Sequence, residues 1–257
     1  MRDYCIVRLN LTSDLEGEVR SQLYRHPCLG LEFSPEAGRL AARAYFDADY
    51  PLAELRRDLE RHAPALRWEG ETRIRLPASG HSAGEPVRVA LLGREILLRG
   101  GPAFGSGAHP TTRLAAALLG EIDLRGVSFL DLGAGTGILS ILARKLGAAA
   151  VTAVEILPEA RENAAENFRL NGAGGITLAA ELGEAEGSYD LIVANILSPT
   201  LIALGDAILA RLKPGGRIVL SGILSGELAE VLRAFRPCAL ERRLEEAEWR
   251  ALRLRGR

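Results

Sequence analysis

Apolar and polar residues alternate at the start of the chain. Within residues 4–11, Val7, Leu9 and Leu11 fall on one side, the period of two expected of a half-buried strand. Residues 15–24 change to helical spacing, with Ser13 or Asp14 available as a cap. Residues 29–33 and 40–46 read as a hairpin around Ser34-Pro35-Glu36-Ala37-Gly38. Residues 51–62 return to helical spacing, with Leu52, Leu55 and Leu59 on one stripe, and residues 66–76, carrying Trp68, read as a last strand. The order β-α-β-β-α-β predicts a small ferredoxin-like α+β domain over residues 1–76, a scaffold whose topology assigns no function.

Residues 77–86 are rich in turn formers and read as a linker. Residues 87–92 and 95–98 predict a second hairpin, around Gly93-Arg94, so that 77–98 forms a linker and hairpin. From residue 99 onward strand and helix patterns alternate. Helices are expected at 111–119, 137–146, 158–171, 199–212 and 225–235. Strands are expected at 127–132, 151–155, 175–179, 189–194, 217–221, 238–245 and 247–254. Such alternation predicts an α/β fold with a doubly wound, mostly parallel seven-stranded sheet over 99–257. The last two strands lack an intervening helix, which predicts one antiparallel edge strand.

Composition narrows the classes of function. In 257 residues, 47% are hydrophobic and 25% charged, as in an ordinary soluble globular protein, and the length suffices for a sizeable core. The net charge of −1 supplies no field toward nucleic acid or an anionic membrane, and no basic stripe with interleaved aromatics is visible. Cys5, Cys28 and Cys238 are scattered and odd in number, so neither a disulfide framework nor a zinc site is expected. The first residues lack a signal-peptide apolar region, and no apolar run reaches the length of a membrane span, which together predict a cytoplasmic protein. Nothing in the pattern speaks to oligomeric state; a monomer is expected.

The chemistry concentrates at residues 129–139, Phe-Leu-Asp-Leu-Gly-Ala-Gly-Thr-Gly-Ile-Leu. An apolar strand runs into a glycine turn that opens a helix, and the next strand ends in Glu155. Together they predict an adenosine-bearing ligand across two strand ends. Gly133, Gly135 and Gly137 are spaced G-x-G-x-G, whereas a dinucleotide fingerprint needs Gly or Ala where this chain has Ile138. S-adenosylmethionine is therefore favoured over NAD. It has no phosphate to seek backbone N–H groups, and the glycines are expected to let the backbone pass close to its methionine portion. Glu155 is suited to accept from both ribose hydroxyls. The plain alternative is a strand–turn–helix that merely packs.

Asn195 follows a buried strand and is placed to face the reacting end of that ligand, or else to cap the next helix. The loop 100–112, Gly-Gly-Pro-Ala-Phe-Gly-Ser-Gly-Ala-His-Pro-Thr-Thr, suggests a backbone near a ligand or a mobile cover. Thr111 and Thr112 lie in the first turn of the following helix, where they would bind a ligand carboxylate or cap the helix. Phe104 would cover a ligand or pack, and His109, a residue type able to titrate near neutrality, is expected in a loop to serve only as a hydrogen-bonding residue.

These segments in order, Ala-Phe-Gly-Ser-Gly-Ala-His-Pro-Thr-Thr, Leu-Asp-Leu-Gly-Ala-Gly-Thr-Gly-Ile-Leu, Val-Ala-Asn-Ile-Leu and Leu-Ser-Gly-Ile-Leu, with Glu248-Trp249 near the end, resemble the ribosomal protein L11 methyltransferase family. The resemblance covers 99–257. It implies a class I S-adenosylmethionine-dependent protein-lysine N-methyltransferase with the large-subunit ribosomal protein as its protein partner. It also implies a small N-terminal domain that recognises that protein. Thr112, Gly133, Glu155 and Asn195 match the family's cofactor-contacting positions. Gly135, Gly137, Phe104 and Ser106 complete the expected cofactor-binding set, and Asn195 is the expected catalytic residue. Ser106 stands where the family has Thr, Ala108 where a polar residue is usual, and Glu155 where Asp is usual. Residues 70–98 depart from the family's pattern. Another protein lysine or a small-molecule amine is the alternative acceptor.

Overall fold

The computed structural model describes residues 2–26, 28, 30–36, 38–76, 86–99 and 103–257. The expected linker at 77–86 thus lies almost wholly outside the described residues, as do 100–102 of the glycine-rich loop. The chain divides into two compact units, 1–79 and 80–257.

In the first unit the elements are β1 (Arg2–Leu11), α1 (Glu16–Arg25), β2 (Gly30–Glu36), β3 (Arg39–Asp47), α2 (Leu52–His62) and β4 (Arg67–Leu76). The sheet order β2-β3-β1-β4 is the ferredoxin-like one, with β1 antiparallel to both β3 and β4. Val7, Leu9 and Leu11 bury their shared face against Val19 and Leu23 of α1 and Leu55 and Leu59 of α2. The hairpin turn is tighter than the sequence suggested. Pairing runs through Pro35↔Leu40 to Glu36↔Arg39. Pro35 can extend β2 because β2 is an edge strand, where a missing N–H costs no ladder bond.

The second unit begins with a hairpin of β5 (Val87–Leu91) and β6 (Arg94–Leu98). Its turn residues are Leu92 and Gly93, both at positive φ, not Gly93-Arg94. That geometry matches the twist of the flanking strands. The rest is α3 (Pro110–Gly120), β7 (Ser128–Leu132), α4 (Ile138–Lys145), β8 (Ala150–Val154), α5 (Pro158–Leu170), β9 (Ile176–Ala179), β10 (Tyr189–Asn195), α6 (Ser198–Ala203), α7 (Gly205–Ala210), β11 (Leu212–Leu224), α8 (Leu228–Ala234), β12 (Ala239–Glu246) and β13 (Trp249–Arg255). Among the described residues seven strands form one sheet in the order β12-β13-β11-β10-β7-β8-β9. Alternate residues of a strand serve opposite faces. Leu191 and Val193 of β10 join the core built with α3, α4 and α5, while Ile192 and Ala194 join the one built with α6, α7 and α8.

Three expectations are corrected. The antiparallel strand is β13, and it is inserted between β11 and β12 rather than standing at the edge. Its residues Ala251, Leu252 and Leu254 are buried, whereas β12 carries Glu241, Arg242, Arg243, Glu245 and Glu246, the charged composition that protects an edge. The helix expected at 199–212 is two short helices, parted at Leu204-Gly205. Gly205 opens the second of them, and glycine is a poor helix former. Finally, the strand expected at 217–221 is longer, because residues 213–216, left between it and the helix expected at 199–212, lie within β11 as an irregularity between the pairs Tyr189↔Leu212 and Leu191↔Arg217.

Candidate functional site

Strand register builds the site. Leu132 of β7 stands opposite Val154 of β8 and Ala194 of β10, and Ala194 opposite Leu220 of β11. The next residue of each strand is therefore Glu155, Gly133, Asn195 or Ser221, one row across the carboxyl edge of the sheet. In doubly wound sheets that edge is where ligands bind.

The glycine turn after β7 is closed by its own hydrogen bonds. Gly133 and Ala134 N–H donate to Val154 O at 2.9 and 3.0 Å, Thr136 N–H to Phe104 O at 2.8 Å, and Gly137 N–H to Ala134 O at 2.8 Å. Gly135 N–H donates to Glu155 Oε2 at 2.9 Å. All five amides are thus engaged, and none remains for a pyrophosphate. The glycines also have a reason within the protein itself. All three have positive φ, and an added Cβ would meet protein: Ile196 at 2.3 Å from Gly133, Phe104 O at 2.2 Å from Gly135, and Phe168 at 2.3 Å from Gly137. Close approach to neighbouring protein atoms, together with left-handed backbone, is what requires glycine here.

Glu155 is 8% exposed. Its Oε2 accepts from Gly135 and its Oε1 from Leu157 N–H at 3.0 Å. Each carboxylate oxygen has two lone pairs, so both retain capacity for a further donor. The carboxylate is oriented by the turn yet still able to take two ribose hydroxyls.

On the other side of the row, Thr112 is fully buried in the first turn of α3, and Asn195 Nδ2 donates to its Oγ1 at 3.5 Å. Asn195 Oδ1 is enclosed without a hydrogen-bond partner, as is Ser198 Oγ nearby in sequence. An enclosed acceptor left unpaired costs about 1–3 kcal/mol, which points to a ligand donor there. His109 caps α3, its Nδ1 2.8 Å from Thr111 Oγ1 and 3.4 Å from Thr111 N. The Thr111 hydroxyl is thereby occupied. Ser221 Oγ, which the sequence did not single out, donates to Thr111 O at 2.8 Å and ties the row to this helix start.

Phe104 is 56% exposed and packs edge-on to His109, which packs edge-on to Trp249, with ring centroids 5.3 and 5.2 Å apart. Ser106 is exposed; its Oγ accepts from Ala108 N–H at 3.4 Å, a local turn contact. Among the described residues no hydrogen bond joins Ser106 to Glu155, Thr112 or Asn195. The structure thus brings Gly133, Gly135, Gly137, Glu155, Thr112 and Asn195 to one sheet edge, with Phe104 beside the turn through its carbonyl.

Asp131 is the penultimate residue of β7, before the turn. It is buried and accepts from Ser140 Oγ at 2.6 Å. Burial pushes its carboxyl up to about 6, against the opposing effect of the Ser140 bond. A raised folded-state value means that the native protein holds this proton more tightly than the unfolded chain. Stability contributed below about pH 4 is therefore lost as pH rises to about 6. Asp131→Asn is expected to be about 2–3 kcal/mol more stable than the parent near pH 7 and to match it near pH 4. Thermal melts across that range check this. No group of His, Cys, Asp and Glu among the described residues could hold a metal ion, and no helix among them is long and apolar enough to cross a membrane.

The sheet order, with its inserted antiparallel strand and the glycine turn after β7, is that of a class I methyltransferase fold. Comparison with known proteins agrees. The family model of the ribosomal protein L11 methyltransferases (PrmA) matches residues 93–257, and the chain belongs to that family. A curated ribosomal protein L11 methyltransferase from Chromohalobacter salexigens is 39% identical over 207 residues, 78% of this chain and 66% of that protein. One from Methylococcus capsulatus is 51% identical over 126 residues, 49% of this chain and 43% of its own length. The chain thus spans about half to two thirds of the length of the curated relatives it matches. The crystal structure of a ribosomal protein L11 methylase from Lactobacillus delbrueckii subsp. bulgaricus superposes with a TM-score of 0.57 at 33% identity, covering 59% of this chain and 81% of that one.

Proposed function

We propose that the chain is an S-adenosylmethionine-dependent protein N-methyltransferase acting on lysine or N-terminal amines of ribosomal protein L11. The observation that carries this is the row at the sheet edge. At one end it offers a pre-oriented carboxylate beside a turn with no free amide; two strands away it offers an enclosed, unpaired amide oxygen. Such a row suits an adenosine ligand without phosphate, and Glu155 is the residue we assign to its ribose. Gly133, Gly135 and Gly137 shape the pocket floor, Thr112 and Phe104 flank it, and we keep Ser106 as a weaker member of the set. Residues 1–76 are assigned to recognition of the protein substrate, 77–98 to connection, and 99–257 to catalysis. The cytoplasm and a monomeric state are part of the same reading.

When bound, the cofactor supplies an already activated methyl group. The remaining work is to position a neutral amine and exclude water. A lysine amine with an ordinary value of about 10.4 must first lose a proton. Asn195 Oδ1 then accepts a hydrogen bond from the neutral amine and orients its lone pair, while solvent carries the proton away.

The deciding experiment incubates the protein with methyl-labelled S-adenosylmethionine and the separated large-subunit ribosomal proteins. Label confined to L11 is expected. Label on another protein, or only on a small amine, would replace the acceptor while leaving the methyl-transfer reading in place.

A further inference from the structure

Asn163, Asn167 and Asn171 stand four residues apart, the first two in α5 and the third at its end, and so share one helix face. Asparagine is a poor helix former, yet Asn163 and Asn167 are buried. The ladder hydrogen-bonds backbone in the manner of a neighbouring strand. Asn171 Oδ1 accepts from Leu97 N–H at 2.9 Å and its Nδ2 donates to Leu97 O at 2.7 Å. Asn163 Nδ2 donates to Arg99 O at 3.2 Å.

Asn167 faces two ways. Its Oδ1 accepts from Arg99 N–H at 2.8 Å, and its Nδ2 donates to Thr136 O, inside the glycine turn, at 2.9 Å. Thr136 passes the connection on, donating its N–H to Phe104 O and its Oγ1 to Gly105 O at 2.8 and 2.7 Å. One carboxamide therefore holds Arg99 directly, and Phe104 and Gly105 through Thr136, against the turn whose Gly135 N–H orients Glu155. A side chain must both donate and accept to do this. Aspartate keeps the Arg99 bond but sets an oxygen against Thr136 O.

We propose that Asn167 is a positioning residue for methyl transfer, fixing the glycine turn relative to residue 99 and residues 104–105 so that the cofactor pocket is formed before the cofactor arrives. This rests on the methyltransferase reading above. The test compares Asn167→Asp with Asn171→Ala, which cuts the two Leu97 bonds and the Asn171 Nδ2 bond to Asn167 O at 2.8 Å but no bond to the glycine turn. Calorimetry with S-adenosylhomocysteine and steady-state methyl transfer are the readouts. Asn167→Asp is expected to raise both Kd and the cofactor KM about tenfold with kcat nearly unchanged. Asn171→Ala is expected to lower Tm and leave Kd within about twofold. Should Asn167→Asp fail to fold, Thr136→Val removes only the bond to Gly105 and is expected to raise Kd in the same direction, by about threefold.

Equal binding by Asn167→Asp and the parent would overturn the positioning role alone. So would an Asn171→Ala variant weakened as much as Asn167→Asp, since lost stability would then explain both. A parent protein that bound no S-adenosylhomocysteine would instead overturn the methyltransferase reading and the role with it.

Discussion

Glu155→Ala is expected to weaken S-adenosylhomocysteine binding by roughly a thousandfold, about 4 kcal/mol, the sum of two charge-assisted hydrogen bonds. The carboxylate lies at the row's adenosine end, and Gly135 and Leu157 N–H fix its orientation at 2.9 and 3.0 Å. Alanine removes the ribose acceptors and also releases the Gly135 amide, so one of the turn's five amides loses its partner. Glu155→Gln separates these effects. Its single carbonyl oxygen can still accept from one backbone amide, while its amide group donates where an acceptor is needed. It should therefore bind about as poorly as the alanine variant while melting closer to the parent. Calorimetry together with thermal melts decides this. Binding by Glu155→Ala within about threefold of the parent would remove Glu155 from the cofactor site.

The sheet edge is legible in the sequence because its markers are local. The strand 128–132, the positive-φ glycines and an acid closing the next strand are all determined within about 25 residues, and backbone sterics leave few other conformations. The ferredoxin-like order was legible for a similar reason: Val7, Leu9 and Leu11 alternate against two helical stripes. What escaped was long-range. The place of β13 between β11 and β12 depends on which of two terminal strands is buried on both faces, and neighbouring strands decide that. Asn167 escaped because its partners, Arg99 and Thr136, lie 68 and 31 residues away. The signal was present nonetheless, in three asparagines at helical spacing on a face shared with buried residues. The glycines also admit Phe104 O, Ile196 and Phe168, contacts that no local pattern marks.

Asn195→Ala should lower kcat about a hundredfold at saturating cofactor and acceptor, while the Kd for S-adenosylhomocysteine moves less than threefold. One pre-oriented polar group in a dry site commonly has an effect of that size. The split follows from the geometry. Asn195 stands at the row's far side from Glu155 in sheet order, beyond Gly133, and its Oδ1 has no protein partner, so its contribution falls on the reacting amine. Asn195→Asp sharpens the test. A carboxylate at this position still accepts, but it favours the ammonium form of a lysine and so holds the proton that must leave. Its rate should lie well below the parent's near pH 7 and recover toward it as pH approaches the lysine range near 10, whereas the alanine variant should show no such steep recovery. A neutral amide in the parent accepts from the neutral amine without stabilising its charged form, which is the physical reason for asparagine over aspartate here. Full turnover by Asn195→Ala would show that the unpaired oxygen is a structural cost with no part in the reaction.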